Sequence, residues 1–137
     1  MNKNIEIINH TADIGVNVYG RTIEELFINS LKGLYEIMRI KLNNIENTVE
    51  IRIQEEELEN LLVKFLNEMI YYAETKKIFG EIEQLKIERE NNKYNLFVKL
   101  IMKKIKDIEK EIKAATYHNL KIEKISGKYK TTIIFDL

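Results

Sequence analysis

The stretch EEELENLLVKFLNEMIYYAETKK, Glu55 to Lys77, decides how the chain is read. Leu58, Leu61, Leu62, Phe65, Leu66, Met69 and Ile70 recur every three or four residues and so form one stripe along an α-helix. Glutamates crowd the first turn, where the positive end of the helix dipole favours them. A helix with a single apolar stripe must bury it against other elements, and the flanking segments read as those elements.

Upstream, Thr22 and Glu25 make the S/T-x-x-E capping box. Behind them Ile23, Leu26, Phe27, Leu31, Leu34, Tyr35 and Met38 repeat at helical spacing, which predicts a first helix from Ile23 to Arg39. Before it, Ile5 to Ile8 is a short β-rich run, and Gly15 to Gly20 (GVNVYG) alternates as a strand does. Between the helices, KLNNIENT (Lys41 to Thr48) reads as a polar return and VEIRI (Val49 to Ile53) as a strand. Downstream the pattern is β throughout. EIEQLKIERE meets KYNLFVKLIM across Asn91-Asn92, and EIKAATYHNLKIEKI meets KYKTTIIFDL across Ser126-Gly127, both with hairpin turn chemistry. The expected architecture is α+β: two helices packed on one face of a mostly antiparallel β-sheet, a single-layer sandwich. Residues 1–137 read as a single domain.

Composition narrows the function classes. There are 22 basic and 22 acidic residues, so the formal net charge is zero. A protein that gripped nucleic acid mainly through phosphates would be basic. The absence of cysteine excludes disulfides, thiolate nucleophiles and cysteine-ligated zinc. The N-terminal segment lacks the apolar core of a signal peptide, and no apolar run approaches the roughly 20 residues that span a bilayer, so the expected location is cytoplasmic. No P-loop, dinucleotide fingerprint or H-E-x-x-H motif occurs. The two serines, Ser30 and Ser126, fall in a helix and a hairpin turn, without the strand-to-helix context of a nucleophile elbow.

Two places carry chemistry. NHTADIGVNVYG, Asn9 to Gly20, concentrates His10, Thr11 and Asp13 near the start of an early strand. At the other end, the last strand stops at Asp136-Leu137, although aspartate is disfavoured in strands. If the last strand lies beside the first ones, Asp13, Asp136 and the Leu137 terminus bring together three hard oxygen ligands, suited to Ca²⁺, Mg²⁺ or Mn²⁺. An exposed terminus beside a solvated aspartate accounts for the same residues.

Four motifs resemble those of the archease family, in order and over essentially the whole chain: HTADIG (His10 to Gly15), LLVKFLNEMIYY (Leu61 to Tyr72), EIKAATYHNL (Glu111 to Leu120) and IIFDL (Ile133 to Leu137). Ala115 departs from the pattern, standing where a branched aliphatic residue is expected. The resemblance implies an accessory protein rather than an enzyme. Archeases activate the RtcB-type RNA ligase of tRNA splicing and RNA repair, a GTP- and Mn²⁺-dependent enzyme that attaches guanylate to its own histidine. They promote that guanylylation and multiple turnover. GTP is then the ligase's substrate rather than a ligand of this chain alone, and any tRNA contact is indirect, through the ligase. The resemblance also implies a divalent cation at one tip of the fold, held by Asp13 and Asp136, with the Leu137 carboxylate or carbonyl as third ligand.

Other residues admit two readings. His10 faces a partner or ligand, or hydrogen-bonds its own turn. His118 reads as a strand residue sharing a face with Ile112, Ala114, Thr116 and Leu120, and so as a half-buried structural histidine or an effector residue. Lys113, on the opposite face, is solvated or contacts a phosphate or partner near the acidic tip. Asn67, a poor helix former in mid-helix, is expected to hydrogen-bond main chain in the neighbouring sheet. The lysine-rich KLIMKKIKDIEKEIK docks on RNA or an acidic partner surface, or is simply solvated. Two alternative functions stand beside ligase activation: a metal-dependent phosphohydrolase, and a general chaperone or modulator of nucleic-acid-processing proteins.

Overall fold

A computed structural model describes residues 4–9 and 12–137. In chain order the elements are β1 (Ile5–Asn9), β2 (Asp13–Gly20), α1 (Ile23–Met38), β3 (Ile40–Glu55), α2 (Leu58–Tyr71) with a π-helical turn at Tyr72–Lys76, β4 (Ile78–Glu90), β5 (Lys93–Ile108), β6 (Ala114–Thr116), β7 (Glu123–Ile125) and β8 (Lys128–Asp136). The α+β reading holds, and the strand pairs of the described residues are antiparallel.

The strands divide between two sheets, a partition that the sequence pattern did not reveal. One runs β1-β2-β8-β6, with β7 also on β8; the other is β3-β5-β4. Each helix touches both sheets: α1 packs on β1, β2 and β8 and reaches β4, while α2 packs on β6 and on β3 and β5. This explains why the α2 stripe is wider than one sheet would need, with Leu61, Leu62, Val63, Phe65, Leu66, Met69 and Ile70 all buried. Phe27 and Phe65 join the helices, their rings stacked with centroids 6.3 Å apart.

The local signals form as expected. Glu25 N–H donates to Thr22 Oγ1 at 3.0 Å, and the Glu25 carboxylate returns to Arg21 N–H at 3.2 Å. Asn91 and Asn92 take φ of 53° and 63°, and Ser126 and Gly127 take 52° and 79°, the left-handed pairs that close tight hairpins. Gly20 is required by close approach: a Cβ there would lie 2.5 Å from Leu26 N. Among the described residues no helix is long and apolar enough to cross a membrane.

Two expectations are corrected. Lys41 to Thr48 belongs to β3, which continues through three register shifts against β5. Glu111 to Ile125 is not one strand. It pairs at Ala114–Thr116 and Glu123–Ile125, and between them Leu120 N–H donates to Tyr117 O at 3.1 Å, closing a turn with Asn119 at φ 51°.

Candidate metal centre

The tip is built by register. β2 pairs with β8 so that Asp13 stands directly opposite Asp136, and β8 pairs with β6 so that Asp136 stands directly opposite Ala114. Asp136 therefore ends the central strand of three, with its side chain on the same face as those of Asp13 and Ala114. Opposed residues have Cβ atoms about 4.5–5.5 Å apart, and like charges so placed repel. Ala114 adds no bulk on the third side.

Main-chain bonds fix the ends. Leu137 N–H donates to Ala12 O at 3.3 Å, and Lys113 N–H donates to Asp136 O at 2.9 Å. The neighbouring residues anchor them: Ile14 is 2% exposed, Phe135 is fully buried, and the Leu137 side chain packs against the core. Asp13 is half-buried and Asp136 exposed. The chemistry of this pair, two carboxylates on adjacent strands, suits a hard divalent cation. Among the described residues, no group of three or more His, Cys, Asp or Glu side chains converges as a metal site.

The other predicted site residues fall as follows. His10, with Thr11, lies outside the described residues. Lys113 is exposed and reaches the tip through its main-chain bond to Asp136. His118 is not a half-buried strand residue. It is exposed in the turn after Thr116, where Asn119 Nδ2 lies 3.2 Å from its Nε2.

Asn67 behaves as its helical position suggested. Its Nδ2 donates to Ala115 O at 3.1 Å, and its Oδ1 accepts from Ala115 N–H at 2.7 Å. A second α2 side chain holds the far end of the same connector, Glu59 Oε2 accepting from Ile122 N–H at 3.0 Å. Ala12 and Ala114, which also shape the tip, carry no chemical signal in the sequence, because they act through main chain and through small size.

Concavities lie elsewhere. One of about 580 Å³ sits over the β3-β5-β4 sheet and is lined by Arg52, Gln54, Lys86 and Phe97 among others. Another, of about 410 Å³, lies between α1 and β1 and includes Ile14, Arg39 and Glu109. Neither contains Asp13 or Asp136, so the candidate site is a surface tip rather than a cleft.

Comparison with known proteins gives a consistent relationship. The Archease protein family (MTH1598/TM1083) matches residues 5–137. A protein archease of Thermococcus kodakarensis is 36% identical over 135 residues, covering 93% of this chain and 94% of its own. That of Pyrococcus furiosus is 37% identical over 137 residues, with the same coverage. Among solved structures, protein 1598 of Methanobacterium thermoautotrophicum superposes with a TM-score of 0.84 at 28% identity, covering 99% of this chain and 100% of that one. A Thermotoga maritima protein described as an archease and possible chaperone superposes with a TM-score of 0.68 at 32% identity, covering 95% and 94%.

Proposed function

Since the chain belongs to the archease family, we propose that it activates an RtcB-type RNA ligase, promoting guanylylation of the ligase and its repeated turnover in tRNA splicing and RNA repair. The observation that supports a working tip is the direct opposition of Asp13 and Asp136. A cross-strand pair of carboxylates at the end of a sheet costs stability unless a cation lies between them.

In this reading Asp13, Asp136 and the Leu137 terminal oxygen hold one divalent cation, Ca²⁺, Mg²⁺ or Mn²⁺. When bound, the cation supplies charge neutralisation of the kind that phosphoryl-type transfer depends on. The chain's own residues present the tip: β2 and β6 flank Asp136 and hold its main chain across from Asp13. The ligase's histidine makes the bond to guanylate, so this chain contributes positioning rather than a nucleophile.

The test is the amount of labelled guanylate covalently attached to the ligase over time, with and without this protein. Faster and more complete labelling is expected, together with cation binding by the isolated protein in calorimetry. No change in labelling removes the activator reading. Metal-dependent phosphatase activity of the isolated protein would favour the hydrolase instead.

A further inference from the structure

We infer that Asn67 is the positioning residue of the tip, setting the separation of Asp13 and Asp136 from a helix that itself holds neither; the inference rests on the cation reading only for its functional consequence. β6 is three residues long and ends the sheet order, so among the described residues no further strand completes its hydrogen bonds. Unpaired strand-edge groups otherwise need water or another partner. Asn67 supplies that partner from α2. Its amide accepts from Ala115 N–H at 2.7 Å and donates to Ala115 O at 3.1 Å, the exchange that an opposing strand residue would make.

The consequence runs one residue along. Ala115 adjoins Ala114, which is registered with Asp136, and the Lys113 N–H holds Asp136 O. Asp136 is thus gripped from two sides of unlike character. On the β2 side it meets Asp13, a like charge. On the β6 side it meets uncharged main chain, and β6 is tied to the body of the fold by Asn67. Loosening β6 lets the repulsion between the carboxylates splay the end of β8 away from β2, widening the gap that a cation would bridge. Ala115 is small and 4% exposed, so it lets the Asn67 amide reach the main chain without a larger side chain intervening.

A matched comparison separates positioning from plain stability. Asn29 is buried where Asn67 is half-buried, and it makes a similar bond, its Nδ2 donating to Tyr19 O at 2.7 Å, but at the far end of β2 from Asp13. In cation-free protein, amide hydrogen exchange is read at Lys113 and Leu137. Asn67→Ala is expected to speed exchange at both about tenfold or more, and Asn29→Ala to leave them near wild type at a comparable loss of melting temperature. Calorimetry with Ca²⁺ and Mn²⁺ should then show weaker binding for Asn67→Ala and unchanged binding for Asn29→Ala. Should Asn67→Ala not fold, Asn67→Asp keeps the acceptor, removes the donor and carries the same test. Unchanged exchange at Lys113 and Leu137 in the Asn67 variant, or equal acceleration in Asn29→Ala, overturns the inference. Local acceleration in the Asn67 variant of a protein whose wild type binds no cation removes the cation reading and leaves the positioning standing.

Discussion

Asp13 and Asp136, near opposite ends of the chain, stand directly across from each other on adjacent antiparallel strands. The next pair inward, Ile14 and Phe135, is buried. The fold therefore sets the two aspartates across from each other by burying their neighbours, at the cost of opposing two like charges. A fold that did not use the pair could replace either aspartate and become more stable.

That trade can be measured. In the presence of a chelator, Asp13→Asn is expected to raise stability by about 0.2–1 kcal/mol, because it removes one of two opposed like charges. Excess divalent cation should raise the melting temperature of the wild type, since a ligand of the folded state alone stabilises it, and raise that of Asp13→Asn much less. Thermal unfolding with and without cation checks both. An equal cation-induced rise in the two proteins contradicts the assignment of Asp13 as a ligand.

The Leu137 oxygen makes a second claim. Leu137 N–H is bonded to Ala12 O, so residues added after Leu137 emerge at the tip itself. A C-terminal tag should weaken cation binding and ligase stimulation, and an N-terminal tag should disturb them less. Calorimetry on the two tagged forms decides it. Full binding and stimulation with a C-terminal tag would remove the terminal oxygen from the ligand set.

Away from the tip, Thr131 is 2% exposed and its Oγ1 is buried without a hydrogen-bond partner among the described residues. Thr131→Val replaces that hydroxyl with a methyl of similar shape. The expected outcome is a gain of about 1 kcal/mol in denaturant unfolding, because an unpaired buried hydroxyl costs about that much. A loss of comparable size would mean that the hydroxyl is satisfied in solution.

What could be read from sequence was what is encoded locally. The α2 stripe, the Thr22–Glu25 box and the Asn91-Asn92 and Ser126-Gly127 turns each depend on residues within a few positions of one another, and each formed. Lys41 to Thr48 read as a return because its polar residues lack clean alternation. It lies in β3, an edge strand, and its register shifts break the two-residue period that marks a strand. His118 reads as a strand residue because the β pattern runs on past Thr116 in the sequence; the left-handed Asn119 ends it. At the candidate site, the two aspartates were visible as residue types, whereas their opposition depends on β2–β8 register, a long-range property. Asn67 could be recognised as a residue needing a main-chain partner, but Ala115 carries no side-chain signal that would name it.

The most direct test of the tip as the working part of this protein is ligase guanylylation with variant proteins. Asp13→Ala and Asp136→Ala should fold normally and lose most of the stimulation of labelled guanylate attachment to the ligase. Lys64→Ala should keep it nearly unchanged; Lys64 is on the exposed side of α2, where it pairs with Glu55 at 2.5 Å. Full stimulation by both aspartate variants would contradict the account.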